Sequence, residues 1–188
     1  CLLKRFVGDE DLALSPSWQP PRPASTGRKV AVIGAGAAGL AAAFHLSLLG
    51  HACTIFDDHD APGGTLRTAV PADRLPRDVL DREIALIRQL GVEFCLTSPV
   101  GSSIPAGRLE MDFDAIILAV GALDSELHKA RILALLGHLG VPCPEGRISV
   151  DPDTLQTGKP GIFAAGSMLR PMQMAVRAVA QGKLAALS

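Results

Sequence analysis

The chain has 188 residues, a formal net charge of −1 and 48% hydrophobic residues, enough for one soluble domain with a buried core. The near-neutral charge argues against binding to nucleic acid or to an anionic membrane surface. Its apolar stretches are interrupted before the roughly 20 residues that a membrane span needs. The cysteines are dispersed without a CxxC motif or a Cys/His cluster, which predicts free thiols, no metal site and a reducing, cytoplasmic environment. They are Cys1, Cys53, Cys95 and Cys143.

Residues 1–27 are predicted to form a lead-in or linker. A short amphipathic piece from Leu2 to Leu14 gives way to a proline-rich stretch, which predicts an extended strap over the domain surface. Trp18, the single tryptophan, is expected to pin this strap. Residues 28–188 then form the predicted domain.

Within residues 28–188, apolar β-branched runs alternate with helical patterns. Predicted strands cover 29–33, 52–56, 92–96, 113–120 and 162–165, and predicted helices cover 37–49, 77–90 and about 171–187. Strands that alternate with helices predict an α/β domain with a Rossmann-like, doubly wound parallel sheet.

A glycine-rich turn, GAGAAG, joins the first predicted strand to the first predicted helix. Gly34 permits the tight turn, Gly36 lets the backbone approach a pyrophosphate, and Gly39 allows close helix–strand packing. Asp57 ends the next strand, where a carboxylate accepts hydrogen bonds from a ribose. The spacing favours a dinucleotide site over an unoccupied structural turn, and Asp58 and Asp60 would repel the 2′-phosphate of NADP.

Several later segments resemble those of a known family, and this resemblance favours FAD over NAD as the dinucleotide. They are 60–67 (DAPGGTLR), 71–76 (PADRLP), 91–94 (GVEF), 112–122 (DFDAIILAVGA), 160–167 (PGIFAAGS) and 178–183 (AVAQGK). In this order they resemble the FAD-binding domain of the flavoprotein oxidoreductases that are like the glutamate synthase small subunit and dihydropyrimidine dehydrogenase. Residues 3–7 (LKRFV) resemble the segment that joins an iron–sulfur domain to the flavin domain in that family.

The resemblance implies an FAD site. Its members would be Gly34, Gly36, Ala37, Ala38, Gly39, Asp57, Asp58, Gly63, Gly64, Leu66, Arg67, Arg74, Val100, Ala119, Gly121, Gly166, Ser167, Gln173 and Met174. The three turn glycines would hold the pyrophosphate and Asp57 the adenosine ribose, while Val100 would meet the adenine through its backbone. The N-terminus of the last helix, near Gln173 and Met174, would face the flavin and stabilise its anionic reduced form.

Some of these residues have simpler interpretations. Leu66 and Val100 are also typical core residues, and Arg74 is also placed for a salt bridge with Asp73 or Asp78. These alternatives stay open at the level of the sequence.

Two departures from the family pattern bear on function. Only 29 residues separate Gly121 from Asp151, fewer than the roughly 50 of a domain, so the family's inserted NADPH-binding domain is absent there. Ser167 replaces the family's usual aspartate and brings a hydroxyl without a charge. No Ser/His/Asp or Cys/His set follows from the spacing, and His45 is expected to be a core residue, so no catalytic side chain is predicted.

The favoured hypothesis is an FAD-binding redox subunit that relays electrons between partner subunits, iron–sulfur or NAD(P)H-binding ones, of an oxidoreductase. A stand-alone FAD-dependent NAD(P)H oxidoreductase and a non-catalytic, FAD-stabilised scaffold in a larger complex are the alternatives. Loss of the inserted domain is expected to bare a face that a partner subunit or a second copy covers, so a homo-oligomer is possible.

Overall fold

The structure, a computed structural model, describes residues 2–14, 20–21, 23–171 and 174–188. Its strands are β1 (Lys29–Ile33), β2 (Ala52–Phe56), β3 (Glu93–Cys95), β4 (Ala115–Leu118) and β5 (Ile162–Ala164). Its α-helices are α1 (Leu2–Ala13), α2 (Ala37–Leu48), α3 (Thr65–Thr68), α4 (Arg77–Gln89), α5 (Ala106–Asp112), α6 (Glu126–His138) and α7 (Ala175–Leu187). Short 3-10 turns lie at Pro144–Gly146 and Gly166–Met168.

The five strands form one parallel sheet in the order β3-β2-β1-β4-β5. The chain moves outward from β1 through β2 to β3 and then returns to β4 on the other side of β1. The strand order therefore reverses between β1 and β4, and ligands of such sheets bind at the carboxyl ends of the strands at this point. The predicted Rossmann-like α/β fold is confirmed.

Each face of the sheet carries its own apolar core. On one face α2 and α7 cross closely, because Gly182 leaves room that a Cβ atom would fill at 2.1 Å from the Ala38 carbonyl oxygen. On the other face α5 and α6 pack with fully or almost fully buried Leu109, Leu136 and Leu139. The sheet is thus covered on both sides, as its continuous apolar strands require.

Several predicted boundaries needed correction. The amphipathic piece of the lead-in is a regular helix, α1, and the last helix begins at Ala175 instead of near Pro171. Predicted strands 92–96 and 113–120 are shorter in the structure, where β3 covers Glu93–Cys95 and β4 covers Ala115–Leu118. Trp18, the expected anchor of the strap, lies outside the described residues.

Residues 122–149, all of which are described, contain one α-helix, α6, and one 3-10 turn. Helix α6 in this segment packs on one face of the sheet together with α5. Cys53, Cys95 and Cys143 are free thiols, and burial raises the pKa of Cys53 to about 12, which makes it an unreactive core residue. Within the described part of the chain, no helix has the length and apolar character that crossing a bilayer requires.

Candidate functional site

A cleft of about 840 Å³ opens at the carboxyl ends of the strands. It lies at the point where the strand order reverses and is bounded by the glycine turn, the end of β2, the end of β4 and the start of α7. The position matches the general rule for ligand binding in open α/β sheets.

The glycine turn forms the floor of the cleft. Gly34 has φ +107°, a conformation that favours glycine, and a Cβ there would lie 2.3 Å from the Ala119 carbonyl oxygen. Gly36 precedes α2, and no side chain caps the helix at this end. The first N–H groups of α2 are therefore available to an anion, and the helix dipole adds a partial positive charge.

Gly39 has a different task in the same turn. A Cβ there would lie 1.9 Å from the Gly34 carbonyl oxygen, so this glycine lets α2 pack against the turn and does not line the cleft. This is the packing task predicted for the third glycine of the motif.

Asp57 joins the turn to the end of β2. One carboxylate oxygen accepts a hydrogen bond from the Ala35 N–H at 2.6 Å. The other accepts from the His59 N–H at 2.9 Å and contacts His59 Nδ1 at 2.8 Å. A carboxylate has about four acceptor positions, so one remains for a ligand hydroxyl while the His59 ring stays in place.

Asp58, His59 and Arg131 form a network beside Asp57 at the rim of the cleft. The Asp58 carboxylate contacts His59 Nδ1 at 2.9 Å through one oxygen and Arg131 Nη2 at 3.1 Å through the other. The hydrogen bond that the His59 ring donates to the Asp57 carboxylate raises the pKa of His59, assisted by the charges of Asp58, Asp57 and Asp60 and opposed by partial burial. We call Asp57, Asp58, His59 and Arg131 the rim network.

The segment at α3 forms one end of the cleft. Gly64 and Leu66 line it, and the Arg77 guanidinium donates to the carbonyl oxygens of Leu66 at 3.0 Å and Val70 at 2.7 Å. Arg77 thus fixes the backbone of the lining segment from outside the cleft. The sequence analysis did not single it out, because its role depends on the path of the loop that it bonds.

The end of β5 and the start of α7 form the wall of the cleft that faces the α3 segment. Gly166 and Ser167 line the cleft, and the Gln181 side chain accepts a hydrogen bond from the Gly166 N–H at 2.8 Å. Met174 lies before the first turn of α7, is about half exposed and provides no side-chain cap. A second uncapped helix N-terminus therefore borders the cleft.

The structure brings most of the predicted site residues to this one cleft. Those that line it are Gly34, Gly36, Ala37, Ala38, Asp57, Asp58, Gly64, Leu66, Val100, Ala119, Gly121, Gly166, Ser167 and Met174.

The remaining predicted residues lie elsewhere. Gly63 lies beneath the α3 segment and donates its N–H to the Ala35 carbonyl oxygen. Arg67 turns away from the cleft, donates to the Pro62 carbonyl oxygen and pairs with Asp81. Arg74 is exposed outside the lining, with no salt bridge to Asp73 or Asp78. Gln173 lies outside the described residues.

The wall made by α6 was missed by sequence reasoning. Leu127, His128 and Arg131 line the cleft from this helix, and Ser98 and Pro99 line it from the loop after β3. The local signals for the helix itself were present. Ser125 caps α6 by accepting a hydrogen bond from the His128 N–H, and buried Ile132, Leu135, Leu136 and Leu139 recur at helical spacing.

The cleft offers groups that suit the parts of a nucleotide. Backbone N–H groups suit a pyrophosphate, and the Asp57 carboxylate suits a ribose hydroxyl. His45 lies outside the lining on α2, half-buried, and both its burial and Lys183 lower its pKa.

Comparisons with known proteins agree with this geometry. Residues 32–92 match the model of the NAD(P)-binding Rossmann-like domain family. The chain is 44% identical over 114 residues to the glutamate synthase (NADPH) small chain of Mycobacterium tuberculosis, which covers 60% of this chain and 23% of that protein. It is 42% identical over 120 residues to PreT, a subunit of NAD-dependent dihydropyrimidine dehydrogenase in Salmonella typhimurium, which covers 63% and 29%. Over 140 residues it is 37% identical to the beta subunit of the NADP(+)-dependent formate dehydrogenase of Moorella thermoacetica, which covers 63% and 20%.

The predicted resemblance is therefore confirmed: the chain has a Rossmann-like domain homologous to subunits of these oxidoreductases over about 60% of its length. The match spans between a fifth and three tenths of those relatives.

Solved structures show the same fold. THI4 of Thermovibrio ammonificans superposes with a TM-score of 0.58 at 14% identity, covering 85% of this chain and 87% of that one. The atypical thioredoxin reductase TRi of Desulfovibrio vulgaris gives a TM-score of 0.56 at 16% identity, with 85% and 96% coverage.

Proposed function

We propose that this relative of the glutamate synthase small chain binds FAD and serves as a redox subunit that relays electrons between partner subunits of an oxidoreductase. The observation that carries the proposal is the continuity of the cleft. It extends from the rim network past the glycine turn to Leu66 and Met174. A site for a mononucleotide would need only one of these two ends.

The residues present fit FAD. The uncapped start of α2 at Gly36 would receive the pyrophosphate, and Asp57 would accept a hydrogen bond from the adenosine ribose. Gly64 and Leu66 on one side, with Gly166 and Ser167 on the other, would enclose the flavin end. When bound, FAD supplies one- and two-electron transfer, which can connect a hydride donor to one-electron carriers.

The chain's own contribution is orientation and electrostatics. Arg77 and Gln181 hold the two walls of the flavin end by hydrogen bonds to backbone groups. The uncapped N-terminus of α7 beside Met174 would favour negative charge at that end of the cleft. Partner subunits are expected because the relatives are named as subunits of larger oxidoreductases.

The first experiment is the visible spectrum of the purified protein after incubation with FAD, followed by removal of free FAD and identification of the released cofactor. We expect flavin absorption bands and release of FAD. A colourless protein that retains no FAD would refute the proposal.

Gly36→Val tests the placement of the cofactor. A Cβ at Gly36 has no neighbour within 4 Å and points into open space beside the turn, so the variant should fold and lose bound FAD. Gly107→Val is the matched control, because Gly107 is also open and lies on α5 outside the cleft lining. Equal FAD content in both folded variants would show that the pyrophosphate binds elsewhere.

A further inference from the structure

The rim network contains an arginine whose charge is already engaged. Arg131 is the one arginine or lysine among the described residues that line the cleft. Its Nη2 atom lies 3.1 Å from the Asp58 carboxylate, 73 residues away in the sequence. The lining also contains the carboxylates of Asp57 and Asp124, so the cleft offers no unpaired strong cation to an anionic ligand.

The position of Arg131 is set by a helix that cannot easily move. The next residue, Ile132, and the residues one turn further, Leu135 and Leu136, are buried in the core beneath the sheet. The backbone of Arg131 is therefore held beside the end of β2, and its half-exposed guanidinium stays within reach of this edge of the cleft.

Asp58 stands beside the carboxylate that would hold the ribose. A nucleotide with a 2′-phosphate would bring a charge of about −1.5 to −2 to this place. Sites that accept a 2′-phosphate use an arginine near the ribose, and here that arginine is occupied by Asp58.

We infer that Asp58, by holding Arg131, restricts the cleft to adenine nucleotides without a 2′-phosphate, and that Arg131 becomes a 2′-phosphate ligand once the Asp58 charge is removed. The inference rests on the proposed dinucleotide site and assigns its nucleotide selectivity to one ion pair. Asp58 acts through charge repulsion and through Arg131.

The test compares two probes that differ only in the 2′-phosphate, ADP-ribose and 2′-phospho-ADP-ribose, by calorimetric titration of the cofactor-free chain. Wild type should bind ADP-ribose at least about tenfold more tightly. Asp58→Asn should reduce this preference by at least about tenfold, chiefly by tighter binding of the phosphorylated probe.

Two further variants isolate the role of the ion pair. The double variant Asp58→Asn/Arg131→Ala should recover most of the wild-type preference for ADP-ribose, because it lacks the arginine that would bind the 2′-phosphate. Asp60→Asn removes an equal charge from an exposed residue outside the lining and should change the preference far less.

Two results would overturn the inference, and they are distinguishable. If wild type binds neither probe and retains no FAD, the dinucleotide site is wrong and the inference falls with it. If wild type binds ADP-ribose but Asp58→Asn and Asp60→Asn change the preference equally, the site stands and the role of the Asp58–Arg131 pair is refuted.

Discussion

The two walls of the cleft beside Asp57 are built in different ways. The turn wall, from Gly34 to Gly39 with Asp57, uses backbone groups and residues close together in the sequence. The helix wall, made by α6, contributes side chains such as Arg131 that reach the cleft through packing across the sheet. The proposed pyrophosphate site is thus encoded locally, whereas the proposed selectivity at the sugar depends on the tertiary fold.

The stability of the turn wall should be the more sensitive of the two to the addition of a single atom. Gly39→Ala places a Cβ 1.9 Å from the Gly34 carbonyl oxygen, so the helix or the turn must shift. We expect a loss of about 3 kcal/mol or more in the free energy of unfolding, measured by urea denaturation. Gly36→Ala, in open space, should stay within about 1 kcal/mol of wild type, and a similar loss in both variants would contradict the packing role.

The helix wall should respond to the loss of packing volume. Leu136 is fully buried under the sheet, and Leu136→Ala should cost about 2 to 3 kcal/mol in the free energy of unfolding. Leu127→Ala on the same helix removes a side chain that is 75% exposed and should cost less than about 0.5 kcal/mol. Thermal or urea denaturation of both variants decides whether α6 packs as described.

The other end of the cleft depends on Arg77, outside the lining. Arg77→Ala removes the donors to the Leu66 and Val70 carbonyl oxygens. We expect FAD binding to weaken about tenfold, because a charged hydrogen bond contributes about 1.5 kcal/mol or more.

Arg82→Ala is the control for this prediction, since Arg82 lies one turn further along α4 and pairs with exposed Asp78. Titration of each variant with FAD, followed by flavin fluorescence, compares the two. Equal affinities would show that the α3 segment holds its position without Arg77.

The smallest effect is expected at the rim network, where the free energy of unfolding should depend on pH through His59. The pKa of His59 lies above its ordinary value of 6.5, chiefly because of its hydrogen bond to Asp57. Its folded-state pKa is raised, so its contribution to stability is complete below 6.5 and disappears as the pH rises through the raised value.

The unfolding free energies of wild type and His59→Asn should therefore differ most at about pH 6 and converge at about pH 9. His51→Asn is the control. His51 lies in the loop before β2, and its Nδ1 atom contacts the Thr26 hydroxyl at an exposed site. A difference for His59→Asn that grows with pH would refute the assignment.

Sequence reasoning recovered the turn wall nearly residue by residue, since β1, α2 and β2 are adjacent and their glycine and apolar patterns are local. It identified Arg67 and Arg74 by family position, while the structure uses Arg77 to bind the α3 loop. Which of these arginines binds the loop depends on the path of the loop backbone, and no periodic sequence pattern predicts that path. The Asp58–Arg131 pair depends on where α6 lies on the sheet, which no local pattern specifies.

The described residues leave the outer face of α7 in contact with solvent. Val176, Val179 and Leu187 are exposed there at 65%, 41% and 55%, whereas the inner face packs on α2. These three side chains share the outer side of α7 with exposed Arg177 and Lys183, and clustered exposed apolar side chains mark interaction surfaces. This face is consistent with the expected cover by a partner subunit or a second copy, and size-exclusion chromatography with light scattering tests the latter.

The last strand and last helix complete a cleft that begins with the first strand. Gly166, Ser167, Met174 and Ala178 form part of the lining, yet they are synthesised more than a hundred residues after the glycine turn that faces them. During translation the glycine turn, β2 and α6 are synthesised before α7. The small-residue face of α2 therefore stays uncovered until α7 has been synthesised and can pack on it. The proposed FAD site is therefore expected to be complete only after α7 has been synthesised, and a chain that ends before α7 is expected to leave part of its core exposed.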